Sequence, residues 1–304
     1  MTAENFRAAV VPILSRTAFL LAIALAPVGC GAAFAAEAQE PAGPPMMAAP
    51  PRPARPEPPR SAEAKAASYE SCMNLARADP AAARKLALSW QARGGAHPAD
   101  HCLALALIGL RQYKEAATRL EKLAQAMVRA PAPLRAEVLG QAGQAWLLAG
   151  DPGRAYAADG AALGLLPGDP DLLVDRAVAA GSAGWFDKAV ADLDRVLKGE
   201  PARLDALIYR AAAHRALDRL DPALADIGAA LTLAPDSTAA LLERGNIRQL
   251  RGDPDGARLD WQRVAVLAPG SATAAIAKKN IALLDNSGAA ASPAPGQPKP
   301  GARR

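Results

Sequence analysis

Residues 170–203 read PDLLVDRAVAAGSAGWFDKAVADLDRVLKGEPAR, and residues 204–237 read LDALIYRAAAHRALDRLDPALADIGAALTLAPDS. Aligned without a gap, the two blocks of 34 share Leu at 173 and 207, Arg at 176 and 210, Ala at 177 and 211, Ala at 189 and 223, Asp at 192 and 226, and Pro at 201 and 235. The flanking blocks, 136–169 and 238–271, keep the frame. Position 20 is then Ala155, Ala189, Ala223 and Ala257, and position 32 is Pro167, Pro201, Pro235 and Pro269. A fixed period of this kind marks one helix-turn-helix unit, copied and stacked, in place of a single globular core.

Position 8 is always small (Gly143, Ala177, Ala211, Gly245), position 24 is Asp159, Leu193, Ile227 and Trp261, and position 27 is Ala162, Val196, Ala230 and Val264. Small residues at 8 and 20 are expected to face each other where the two helices cross, because larger side chains would push the axes apart. Bulky residues at 24 are expected to fill the gap towards the next unit. Pro at 32 cannot continue a helix and ends the second one. Gly150-Asp151-Pro152, Gly184-Trp185-Phe186 and Gly252-Asp253-Pro254 are turn signals between the helices.

This pattern resembles the tetratricopeptide repeat family, whose signature is W-x2-L-G-x2-Y, then A-x3-F, then P. The match falls at positions 8, 20, 27 and 32. The sequence departs at position 4, where Leu139, Leu173, Leu207 and Leu241 replace Trp, and at position 7, where Arg176, Arg210 and Arg244 replace Leu. At position 11 the family aromatic survives only as Trp146. A further unit reads over 97–130, with Ala104, Ala116 and Leu120 in the key slots, followed by the insert Ala130-Pro131-Ala132-Pro133. A more degenerate unit covers 64–95 with Ala83, and 272–285 reads as a capping helix with Lys278 and Lys279 outward. Over 64–285 the resemblance implies an all-α fold. It is a right-handed superhelical solenoid of about six helix-turn-helix repeats plus a C-terminal capping helix, with a concave inner face.

The ends have a different composition. Arg7 and Arg16 precede an apolar run from Ala18 to Val28, and Ala33-Phe34-Ala35 offers an A-x-A cleavage site. Residues 1–35 therefore read as a signal peptide, the apolar run being shorter than the roughly 20 residues of a membrane span. Cys30 follows that run as a lipid-attachment cysteine would, although Pro27 stands where a lipobox has Leu. Nine prolines between 41 and 60 make 36–63 an extended linker, and 286–304 reads as a disordered tail. The Ala-rich, Arg-over-Lys composition points to a bacterium with a GC-rich genome. The expected location is the periplasm, with an outer-membrane lipoprotein as the alternative.

The net charge of +5 comes mostly from these ends: the leader contributes +1 and the tail +3, leaving +1 for the repeats. A clustered basic face, which nucleic-acid binding requires, is not expected. No P-loop, H-E-x-x-H or dinucleotide fingerprint occurs, and Gly181-Ser182-Ala183-Gly184 falls short of G-x-S-x-G. His97, His101 and Cys102 are the only metal-like cluster, and Pro98 puts His97 at a helix start. A half-exposed pair is the reading preferred over a metal site. Catalytic, cofactor and metal residues are thus all read as none.

In the repeat frame Cys72 and Cys102 fall on neighbouring first helices. In an oxidising compartment they form either a disulfide or two separately buried thiols. Arg at position 7 and Asp at position 23 (Asp192, Asp226, Asp260) recur with the period, so a structural contact within or between units is expected of them. The resemblance places partner contacts on the concave positions. These include Gln144, Asp171, Val174, Val178, Asp205, Ile208, Ala212, Arg215, Leu242, Asn246 and Gln249. The Lys/Asn/Arg clamp by which some relatives hold a peptide carboxylate is absent. The face suits an extended or helical segment with apolar anchors and a basic flank.

The expected function is a non-enzymatic protein–protein interaction scaffold that binds a peptide segment or partner protein, with no cofactor and no nucleic acid. It meets a membrane only if Cys30 is lipidated. The alternatives are a lipid-anchored outer-membrane accessory protein of an assembly or secretion machine, and an enzyme regulator or cryptic enzyme.

Overall fold

Each 34-residue block folds as two helices whose ends are written into its polar residues. In the computed structural model, residues 60–291 are described, with side chains from 69 to 286. The leader, Cys30, the linker up to residue 59 and the tail from 292 lie outside the described residues. Thirteen helices and no strand occur among those described. They form six pairs: α1 (Arg60–Ala78) with α2 (Pro80–Ala92), α3 (Ala96–Gly109) with α4 (Tyr113–Ala126), and α5 (Ala132–Leu148) with α6 (Pro152–Leu165). Then come α7 (Pro170–Ser182) with α8 (Phe186–Gly199), α9 (Leu204–Ala216) with α10 (Leu220–Leu233), and α11 (Thr238–Leu250) with α12 (Pro254–Leu267). The single helix α13 (Ala272–Ala291) closes the stack.

The Asp-Pro dipeptides start second helices. Asp79, Asp151 and Asp253 each accept a backbone N–H three residues on, and Pro80, Pro152 and Pro254 take the first helical position, where no N–H is needed. The first helices end in a left-handed residue at position 15. Gly150, Gly184 and Gly252 adopt φ of 78–80°, while Arg111 and Asp218 hold the same place at φ 59°. The backbone bonds around Gly184, with Trp185 N–H donating to Ala180 O at 2.8 Å, close the helix end in the Schellman manner.

Ala155, Ala189, Ala223 and Ala257 are all completely buried, as position 20 requires. The partner of position 8 differs from the expectation. A Cβ added to Gly143 would overlap the carboxyl of Asp159, and one added to Gly245 would overlap the Trp261 indole. Position 8 therefore faces position 24 of its own unit, and residue 24 packs back across the helix pair instead of outward to the next unit. The pairing explains why Gly stands opposite Trp261 while Ala serves opposite Leu193 and Ile227.

Helices pack on their chain neighbours, and first helices of successive units also touch, α1 on α3, α5 on α7, α7 on α9, α9 on α11 and α11 on α13. Buried apolar residues gather into three clusters: units 1–3 with Ala179 of unit 4, units 3–5 with Ala240 and Ile247 of unit 6, and the rest of unit 6 with the cap. Both ends of the helical array exceed the expected bounds. The first helix begins at Arg60, inside the segment read as linker, because Pro59 is the last proline and the Ala-rich run after it favours helix. The last is helical up to Ala291, past 285 and to the end of the described residues.

Candidate partner-binding face

The first helices of the units are joined side to side by polar groups. Tyr69 on α1 donates its hydroxyl to Nδ1 of His101 on α3 at 2.7 Å, and His101 Nε2–H donates to Oε1 of Gln141 on α5 at 2.6 Å. This arrangement suits a neutral imidazole. Burial lowers the His101 pKa against the opposing pull of Gln141 and Glu137. Burial, then Glu137, raises that of Tyr69. Further along, Gln144 on α5 donates to Asp175 on α7 at 3.4 Å, and burial pushes the Asp175 carboxyl up to about 6.

Arg203, just before α9, grips Asp171 of α7 and lies 3.1 Å from Asp205. Arg215 on α9 pairs with Glu243 on α11, both buried. Asn246 donates to Glu243 at 3.3 Å, and Asn280 on α13 donates to Asn246 at 3.0 Å. A row of cross-unit hydrogen bonds thus runs from α1 to α13, which sets the position of each first helix against the next.

The eleven residues assigned to the concave face divide into two groups. Val174, Val178, Ile208, Ala212 and Leu242 are buried in the apolar core, and Asp205 and Arg215 are buried among the polar links. Gln144 and Asn246 are half-buried and hydrogen-bonded, whereas Asp171 and Gln249 are exposed. The aliphatic residues expected to anchor a partner are therefore used to pack the array. What this face offers to a partner is polar: Glu137, Gln144, Asp171, Asn246 and Gln249.

Tyr69, Gln141, Asp175, Arg203, Glu243 and Asn280 were not singled out by sequence: Gln141, Asp175 and Glu243 share position 6, but the residue there changes from unit to unit, and the signal followed was an unchanged residue. His97 and His101 are not a pair. His97 is exposed, while His101 is held between Tyr69 and Gln141. Among the described residues no group of three His, Cys, Asp or Glu side chains is placed to hold a metal ion.

The periodic charges meet within each unit. Arg176, Arg210 and Arg244 each clasp Asp192, Asp226 and Asp260 respectively, sixteen residues on, through two N–H···O bonds of 2.6–2.9 Å. The carboxylates are buried and the guanidiniums partly so. This geometry is that of a bidentate pair inside a helix pair. Cys72 on α1 and Cys102 on α3 have Cα atoms 6.0 Å apart, with their sulfurs at bonding separation.

No family model matches the chain, and neither does any curated protein. Solved structures do. A tetratricopeptide repeat protein from Parabacteroides merdae is similar over 73% of this chain and 84% of its own, at 15% identity and a TM-score of 0.54. The fold is that of the tetratricopeptide repeat. The Cut9–Hcn1 hetero-tetramer of the APC/C is similar over 74% of this chain, at 14% identity and a TM-score of 0.54. This chain spans 43% of the Cut9–Hcn1 chain it matches. In a tetratricopeptide-repeat fold the row of first helices forms one continuous face, and here that face carries the cross-unit polar links.

Proposed function

We propose that the array is a non-enzymatic scaffold that holds a peptide segment or partner protein along its first helices, and that it works after export to the bacterial periplasm. The observation that supports this reading most is the row of links from Tyr69 to Asn280. It preorganises one long face at the helix spacing, and preorganisation lowers the ordering cost of binding an extended partner. The exposed groups on it, Glu137, Asp171 and Gln249 with half-buried Gln144 and Asn246, favour a partner rich in hydrogen-bond donors and positive charge. Export rests on the sequence of residues 1–35, with Ala36 as the new N-terminus. A diacylated Cys30 in the mature protein would favour the lipid-anchored accessory protein instead.

The test is capture from envelope extract by the intact mature protein, repeated with Glu137→Ala and Gln249→Ala combined, and with Lys198→Ala on the second helix α8. The expected result is a partner lost in the first variant, kept in the second, with melting of both unchanged. A partner retained by the double variant, or lost equally in Lys198→Ala, overturns the assignment of the face.

A further inference from the structure

Position 24 is buried and apolar in units 2, 4, 5 and 6, as Leu120, Leu193, Ile227 and Trp261. In unit 3 it is Asp159 on α6, which is 1% exposed. Neither of its carboxyl oxygens has a hydrogen-bond partner. Gly143 of α5 lies so close that even one added carbon would overlap the carboxyl. Two ionisable groups of α7 act on it: Asp175 opposes its ionisation and Arg176 favours it.

Arg176 is already committed to Asp192 of α8 through bonds of 2.8 and 2.6 Å. Asp175 is held by Gln144 of α5. On α5 the ionisable Glu137 acts on Tyr69 and His101. On α6, Arg154 lies 3.9 Å from Asp151, and the Tyr156 ring lies 5.3 Å from the Arg176 guanidinium. A buried carboxyl with no donor keeps its proton, since its charged form is the one that burial penalises. Burial accordingly raises Asp159 well above the usual carboxylate range.

We infer that Asp159 is a proton-linked joint inside unit 3, on the side that faces unit 4: protonated, it lets α5 and α6 close on one another with α7 beside them, and ionised, it opens this helix pair to water while units 5 and 6 stay folded. Stacked repeats touch only their neighbours, so one helix pair can open alone. The folded carboxyl holds its proton to a higher pH than an unfolded one, which titrates near about 4. Its contribution to closure is therefore complete below about pH 4 and is lost as pH rises through the folded value. Asp175 acts in the same sense up to about 6.

The test is hydrogen exchange of the full chain from pH 7 to pH 9, above the range in which Asp175 titrates, corrected for the intrinsic pH dependence of amide exchange. Protection in α5–α7 should fall with pH, approaching about tenfold per unit while one proton leaves per opening. Protection in α9–α12 should change far less. Asp159→Asn, which keeps the shape and removes the charge, and Asp159→Leu, which installs the residue of unit 4, should both abolish the fall. A fall that persists in Asp159→Asn, that disappears only in Asp175→Asn, or that is uniform along the chain overturns the joint. Asp159→Asn decides the matter even if the Leu variant does not fold.

Discussion

Asp218 occupies a place that three other units give to glycine. Its φ of 59° matches that of Arg111, and the glycines at 150, 184 and 252 take φ near 80°. The left-handed region crowds Cβ against the backbone, a strain glycine does not feel. Asp218→Gly should therefore raise stability by up to about 1 kcal/mol, the roughly 1–2 kcal/mol of left-handed strain being partly offset by the entropy glycine adds to the unfolded chain, read as a higher midpoint in urea. Gly184→Ala should lower it by a similar amount, although the space around Gly184 is open. No change in either variant would mean the turn relaxes at no cost. The seam at position 20 gives a second prediction. Ala189 is wholly buried and Ala191 is exposed. Ala189→Leu should cost roughly 1–3 kcal/mol by overpacking, whereas Ala191→Leu should be mild. Equal effects would mean that the seam tolerates expansion.

Within a helix pair, the Arg–Asp clasp joins the first helix to the second. Removing Arg210 leaves Asp226 buried without its partner, so Arg210→Ala should destabilise more than its share of the double variant with Asp226→Ala. A double-mutant cycle on melting should return a coupling of about 1–3 kcal/mol. Strict additivity would remove the structural role. This contact was legible in sequence because Arg at 7 and Asp at 23 recur with the period, as do the Ala and Pro positions that determine the helix pairs. The facing of positions 8 and 24 was not legible. Small residues stand at both 8 and 20, and only Gly143 against Asp159 and Gly245 against Trp261 reveal which slot each opposes. The inner face was legible only in part. The repeat frame places Val174, Ile208 and Leu242 on it, but their burial depends on how closely neighbouring first helices approach. Glu243 shares position 6 with the linking Gln141 and Asp175, a recurrence of polar character without a recurrence of residue, whereas Arg203 stands where the other units have Asp169, Ser237 and Ser271.

At the scale of the whole molecule, the apolar core is a stack of local clusters. A bridge between Cys72 and Cys102, separated by 30 residues, would be worth roughly 3–4 kcal/mol in the chain-entropy account and would act on the first two units. Reduction should loosen α1–α4 in hydrogen exchange and leave α5–α12 as protected as before. Uniform loosening would mean that the array unfolds as one body. Two free thiols in the unreduced, unfolded protein would mean that no bridge forms. The seam that draws the helices together also determines how the protein responds to heat. About half of the buried apolar residues are alanine, and each exposes only one methyl group when the chain unfolds. The heat capacity of unfolding grows with apolar area exposed, typically about 12–15 cal/mol/K per residue. Calorimetry of this chain should fall below that range. A small heat-capacity change flattens the dependence of stability on temperature, so the array should lose little of its stability on cooling.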